Sequence, residues 1–210
     1  MERTLNPLRL LLAFIIAVIL FAGVFFLGYT ISYSKYRSVS LSQENIRYEL
    51  LGLELEGQLL EGCDVFDPYY FSTELDQMGS VIGVLEERFG KNDDKVIKQK
   101  EVYSMLEIQH LLLIDKYNKN CNKTIPIVLF FYSNEENFIV QAEKMGFILS
   151  TYKANNKNIM IYSFDYSLNT NLINLLKKKY DITQANTIII NGQTKVWNLN
   201  NIDDLKKYLK

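Results

Sequence analysis

Hydrophobic residues fall into three patterns along the chain, and each predicts a different kind of element. From Leu10 to Ile31 the run LLLAFIIAVILFAGVFFLGYTI carries no charge over 22 residues. About 20 consecutive apolar residues cross a bilayer core as a helix. Asn6-Pro7 ahead of the run supplies a cap and a proline at the first helical position. A signal peptide has a shorter apolar region, roughly 7–15 residues, closed by an A-x-A-like site, and this run has neither feature. The pattern predicts an uncleaved, single-pass transmembrane signal-anchor over residues 1–33. Arg3 and Arg9 precede it and Lys35 and Arg37 follow it. That near balance gives the positive-inside rule only a small bias, towards a soluble part on the extracytoplasmic side.

The second pattern, over residues 34–122, recurs at three and four and predicts about three helices. Ser40 and Gln43 form a capping box. Tyr48, Leu51, Leu55 and Leu59 come next, with Ile46, Leu50, Leu53 and Leu60 as a second stripe, so this first helix has a broad apolar face that needs a partner. Gly62 ends it. A second helix starts near Ser72, carries Leu75, Met78, Ile82, Leu85 and Phe89, and stops at Gly90. A third starts near Asp93-Asp94 and carries Tyr103, Leu106, His110, Leu113 and Tyr117. The last two stripes follow a heptad. The segment therefore packs on itself, docks on the C-terminal domain, or pairs with a second copy as a coiled-coil homodimer.

The third pattern, over residues 123–210, alternates short apolar runs with amphipathic stretches. Thr124–Ser133 (TIPIVLFFYS) is nearly all apolar, as expected for a strand buried on both faces. Ser133-Asn134-Glu135-Glu136 reads as a capping box that opens a helix, with Phe138, Ala142, Met145, Leu149 and Tyr152 as its inner stripe. Asn158–Asp165 is a second strand, and a short helix runs over about 170–180. TIII and TKVW flank Asn191-Gly192-Gln193, a strong hairpin signal. A last helix begins near Asn201, with Asp203 and Asp204 in its first turn and lysines towards its end. The order is βαβαββα, an α/β class.

Composition changes this picture little. Apolar residues make up 48% and charged residues 22%, ordinary for a folded chain. The net charge of −1 gives no basic excess to suggest nucleic acid. Abundant Asn, Lys and Ile fit an AT-rich genome.

The candidate chemistry is sparse. His110 is the single histidine and lies on an apolar stripe, where a core residue with one hydrogen bond is the usual outcome. Metal sites need three or four clustered ligands, and no such spacing occurs, so neither a metal nor a cofactor is implied. No phosphate-binding glycine loop, zinc-protease helix or nucleophile elbow is present, and no catalytic residue is assigned. Cys63 follows the first long helix and Cys121 the third. In an up-down-up array those ends share a pole, so a disulfide is expected if the segment lies outside the cell. Two unrelated buried thiols are the alternative. Asn122-Lys123-Thr124 is a glycosylation sequon.

The C-terminal βαβαββα order resembles the thioredoxin-like superfamily over residues 124–210. Tyr180-Asp181-Ile182-Thr183-Gln184-Ala185-Asn186-Thr187 is similar to the family's Y-x-I-x-x-x-P-T approach to its third strand, and Val128–Phe131 to its central strand. The resemblance implies a thiol pair at the first helix and a cis-proline opposite it. This chain has Glu135-Glu136-Asn137-Phe138 at the first position and Asn186 at the second. A register one turn later offers Ile139 and Ala142, so neither alignment supplies a thiol. A cis bond before a non-proline residue costs about 2.5–4 kcal/mol, so a trans peptide is expected before Asn186. Thiol–disulfide exchange needs a thiolate, and Glu135 and Glu136 are not redox nucleophiles.

Three functions emerge as expectations. The first is a membrane-anchored, redox-inactive thioredoxin-like module that binds a protein. An extended chain would pair in a groove formed by Tyr132, Ser133, Asn134, Glu135, Ala185, Asn186 and Thr187. The second is a thiol-disulfide oxidoreductase-related protein using Cys63 and Cys121. The third is a structural bitopic subunit of a membrane complex.

Overall fold

The computed structural model describes residues 8, 11–24, 26, 51–55, 63 and 67–209. The chain forms two compact units, Met1–Leu51 and Gly52–Lys210. In the first, residues 11–24 are a continuous helix with exposed side chains. Among the described residues no helix is long and apolar enough to cross a membrane. This corrects the expectation of a transmembrane signal-anchor, and with it the single-pass membrane localisation. The first helix of the middle segment lies outside the described residues apart from residues 51–55, which are helical.

From residue 67 onwards the second unit is described continuously, and it opens there with a helical hairpin, α1 (Tyr70–Phe89) and α2 (Asp94–Asn120). Gly90 ends α1 at φ +90°, a conformation that glycine adopts without a Cβ penalty. The Asp93 side chain caps α2 by accepting the Lys95 N–H. Next come β1 (Ile127–Tyr132), α3 (Ile139–Asn155), β2 (Met160–Asp165), α4 (Asn171–Lys179), β3 (Thr187–Ile190), β4 (Thr194–Val196) and α5 (Ile202–Tyr208). The sheet order is β2-β1-β3-β4. β1 runs parallel to β2 and antiparallel to β3, which is antiparallel to β4.

β1 is buried on both faces, as its unbroken apolar run requires. Val128 and Phe130 join Ile188 and Ile190 in a core closed by Met145 and Leu149 of α3 and Leu205 of α5. Leu129, Phe131, Tyr162 and Phe164 are also buried, and the rings of Phe131 and Phe164 lie 5.4 Å apart. Full burial of each such side chain is worth about 1.5–3 kcal/mol. The hairpin turn closes through a hydrogen bond from the Gln193 N–H to the Ile190 carbonyl. Its central residues, Asn191 and Gly192, both have positive φ, as a turn matched to strand twist needs.

α3 starts later than the capping box predicts. Ser133 Oγ accepts the Glu135 N–H at 3.1 Å, which closes a local turn and leaves no hydroxyl free for a helix cap. The helix begins at Ile139, with Phe138 in the cap position.

The hairpin docks on the edge of the sheet. α1 packs on α2, and α2 packs on β2. The buried ridge of α2 is Val96, Lys100, Glu107, His110, Ile114 and Tyr117, spaced as the inward positions of a heptad. Two of these residues, Lys100 and Glu107, are ionisable, and both make contacts that fix how the hairpin sits.

Candidate functional site

The carboxyl ends of parallel strands are where an α/β sheet gathers polar groups, and β1 and β2 end side by side here, with Tyr132 paired to Asp165. Lys100, from the first turns of α2, reaches this place. Its Nζ lies 2.6 Å from Glu86 Oε1 of α1 and 3.0 Å from Asp165 Oδ2. The Lys100 side chain is 3% exposed. Asn134 Nδ2 donates to the same Asp165 oxygen at 3.2 Å. The Ser167 N–H donates to the other oxygen, Oδ1, at 3.0 Å. One buried cation between two carboxylates thus joins both helices of the hairpin to the sheet. Burial, followed by the negative charges of Asp165 and Glu86, pushes the nearby Tyr132 phenol well above its usual range.

From Asp165 the network continues across the strand ends. Ser133 and Ser167 hydroxyls lie 3.3 Å apart, and Ser167 Oγ donates to Glu135 Oε1 at 3.3 Å. The Ser133 N–H donates to Asn186 Oδ1 at 3.3 Å. Asn186 Nδ2 donates to the Phe138 carbonyl at 2.9 Å and to Gln141 Oε1 at 3.2 Å. Asn186 has φ +55°, and no cis peptide bond occurs among the described residues. The left-handed conformation is one that asparagine tolerates better than most residues. It lets a single side chain bridge the loop before α3 and the loop before β3.

A second buried polar row lies further along α2. Glu107 is 1% exposed, and its Oε1 accepts the Ser163 N–H of β2 at 2.7 Å. Burial pushes its carboxyl well above the usual range; the Ser163 N–H, the Lys153 charge and the Tyr103 hydroxyl counter this only in part. One turn on, His110 Nδ1 lies 2.9 Å from the Tyr162 hydroxyl, and the His110 ring lies 5.5 Å from that of Phe71. Burial lowers the His110 pKa to about 4, although the Pro68 carbonyl works in the other direction. His110 is therefore a neutral core residue beneath β2, not a base beside Ser133.

The structure brings the predicted groove residues together but closes the groove. Ser133, Ala185, Asn186 and Thr187 are buried, Tyr132 and Asn134 are half-buried, and Glu135 alone is exposed. The backbone N–H of Ser133 is already used by Asn186, and Asn134 is tied to Glu86 and Asp165. Cys63 and Cys121 are joined in a disulfide, with Cα atoms 5.6 Å apart. Cys121 caps the C-terminus of α2, whereas Lys100 sits in its first turns. The helix rise places them about 30 Å apart, so the disulfide stands at the far end of the hairpin from the strand-end cluster. Among the described residues no group of three or more His, Cys, Asp and Glu could hold a metal ion.

Sequence reasoning missed Glu86, Lys100, Asp165 and Ser167. The signal that could have found Lys100 and Glu107 is their position: both fall on the inward heptad ridge of α2, where a charge is expensive unless paired.

No family model, curated protein or solved structure matches the chain. The reading of its function rests on the geometry.

Proposed function

We propose that the chain is a thioredoxin-like module that carries no redox chemistry of its own and binds a protein partner. The observation that carries this reading is the strand-end cluster. Where the family places a thiol pair and a cis-proline, this chain has a thiol-free loop and an asparagine, locked together by hydrogen bonds. The βαβαββα order and the mixed four-stranded sheet support it. The partner's contact surface is the exposed rim of that cluster, Glu135 and the outer face of α3. Val140 and Phe147 are 77% and 72% exposed there, and seven residues of spacing puts them on one side of the helix.

Two measurements test the proposal. In an insulin-reduction assay with dithiothreitol the protein leaves the rate at background; a rate above background that vanishes in Cys63→Ser would favour the oxidoreductase reading instead. A photocrosslinker placed at Val140 traps a discrete partner in cells, and Phe147→Asp abolishes the adduct without lowering Tm. Trapping that is indifferent to Phe147→Asp removes the rim as the contact surface.

A further inference from the structure

Helix ends gather at the pole of the sheet opposite the strand-end cluster. The last turns of α2 and α4, Leu209 just after α5, the linker from Lys123 to Pro126 and the β3–β4 turn line one open groove there. Helix C-termini attract lysines, because each carries roughly half a negative charge. The groove holds more cation than that requires. α4 has Lys177, Lys178 and Lys179 in its last turn, and Lys123 belongs to no helix.

Carboxylates do not make up the difference. Lys119, Lys123 and Lys179 line the groove with one acid, Asp115, and Asp115 is paired with Lys119 at 2.6 Å. Among the described residues neither Lys123 nor Lys179 is paired with a carboxylate. Both are exposed.

The walls mix polar and apolar groups. Leu112 is 55% exposed, and Tyr180 and Leu209 are half-buried, so a ligand can reach apolar surface beside the cations. The linker backbone offers little. Asn118 Nδ2 donates to the Ile125 carbonyl at 2.9 Å, and its Oδ1 accepts the Ile125 N–H at 3.0 Å. Asn191 exchanges hydrogen bonds with both backbone groups of Ile127. Side chains therefore meet the ligand, through charge and apolar contact together. That combination suits a polypeptide segment in which acidic and apolar residues are interleaved. Inorganic phosphate has no apolar part to use. A nucleic acid strand needs rings on which successive bases stack, and Tyr180 is the one aromatic residue in the lining.

We propose that this groove binds an acidic peptide segment of another protein, with carboxylates at Lys123 and Lys179 and an apolar side chain against Leu112. The site shares no residue with the rim formed by Glu135, Val140 and Phe147, and goes beyond the role assigned to that rim.

Titration calorimetry of the full chain with the blocked hexapeptide Glu-Asp-Leu-Glu-Asp-Leu tests the proposal, with heteronuclear NMR to locate the contact. Saturable one-to-one binding is expected below about 1 mM, with shifts at Leu112, Lys123 and Gly192. Raising salt from roughly 50 to 300 mM should weaken it severalfold. Lys123→Glu/Lys179→Glu should weaken the peptide by about tenfold or more, because its carboxylates then meet like charge. Both positions are exposed, so Tm should hold. Lys123→Ala/Lys179→Ala adds no new charge, should weaken binding severalfold, and serves where the reversal lowers Tm. Leu112→Ser should weaken binding too, whereas Phe147→Asp should leave it unchanged, which separates this site from the rim. Any of five results would overturn the proposal. These are no saturation, affinity unchanged by the lysine variants or by Leu112→Ser, loss of binding in Phe147→Asp, equal affinity for Lys-Lys-Leu-Lys-Lys-Leu, and equal affinity for an oligothymidylate of the same length.

Discussion

Glu107 of α2 accepts the backbone N–H of Ser163 at 2.7 Å, so a helix side chain completes the hydrogen bonding of an edge strand. β2 is the outermost strand on its side of the sheet. Met160 and Tyr166 direct their N–H groups towards β1, so the odd-numbered residues between them direct theirs outwards. An edge of this kind invites pairing with another chain, and the hairpin forecloses it. Glu107→Ala leaves the Ser163 N–H buried and unpaired and should cost about 1–3 kcal/mol. Glu107→Gln keeps an acceptor and separates the charge from the hydrogen bond. The folded-state pKa of Glu107 is raised, so its contribution is full below the usual 4.5 and is lost as pH rises through the folded value. Urea denaturation should show Glu107→Gln gaining on the wild type as pH rises from about 5 to 8. A constant difference between the two would mean the carboxyl is not buried in its neutral form.

His110 pulls the other way. Its folded pKa, about 4, lies below the usual 6.5. Its contribution to stability is therefore full above 6.5 and falls as pH drops towards 4, because only the unfolded chain takes up a proton readily in that window. As the single histidine, it gives one unambiguous ring signal by NMR. That signal should stay flat between about pH 7.5 and 5.5 and move only as the protein approaches acid unfolding. A midpoint close to 6.5 would show the ring to be solvated, contrary to its place against Tyr162 and Phe71.

These two residues also show where the sequence could be read and where it could not. The elements from Ile127 onwards arise from local patterns: an unbroken apolar strand, an Asn-Gly turn and an Asn cap at α5, all decided within a few residues. The inward face of α2 was harder. Leu106, His110, Leu113 and Tyr117 are visible as an apolar stripe, but the ridge that meets the sheet runs through Lys100 and Glu107. Both look like solvated positions until partners 65 and 56 residues away are known. The same limit applied to Ser133, whose capping-box spacing was legible while its hydroxyl's true partners, the Glu135 N–H and Ser167, were not. The residues expected to form a groove, Ser133, Asn134, Glu135 and Asn186 among them, lie around one hydrogen-bonded cluster. Their closure by Asn186 depends on a backbone angle that the sequence does not state.

Lys100 holds Glu86 and Asp165 together in a place with little access to water. Lys100→Met removes the cation and leaves two carboxylates facing each other, which should cost about 3–5 kcal/mol. The loss should be recovered in large part by Lys100→Met/Glu86→Gln/Asp165→Asn, since an uncharged replacement for a buried ion cluster is often neutral or better. Thermal melts of the single and triple variants at one pH decide this. A single variant within ~1 kcal/mol of the wild type would place the cluster in solvent.

The Cys63–Cys121 disulfide closes a loop of 58 residues that contains the whole α1–α2 hairpin. In the chain-entropy account a loop of that length is worth about 4 kcal/mol. Reduction, or Cys63→Ser/Cys121→Ser, should therefore lower Tm clearly. Hydrogen exchange should show the loss first in α2 near Cys121 and in the linker beyond it. Unchanged protection there after reduction would mean that Asn118 and the sheet hold this end without help.

Asn186 gives a test in which backbone strain and hydrogen bonding can be separated. At φ +55° an alanine is strained and a glycine is not, so Asn186→Ala should be less stable than Asn186→Gly by about 1 kcal/mol. Both variants lose the bonds to the Ser133 N–H, the Phe138 carbonyl and Gln141. Both should therefore fall below the wild type by a shared amount of about 1–3 kcal/mol and expose the Ser133 amide to exchange. Asn186→Pro tests the family comparison directly. Proline fixes φ near −65°, far from the observed angle, and carries no amide to bridge the two loops. Restoring the residue that the thioredoxin-like pattern expects should therefore be the most damaging of the three substitutions. An Asn186→Pro variant as stable as the wild type would show that the loop before β3 can adopt the family geometry, and that Asn186 does not close the groove.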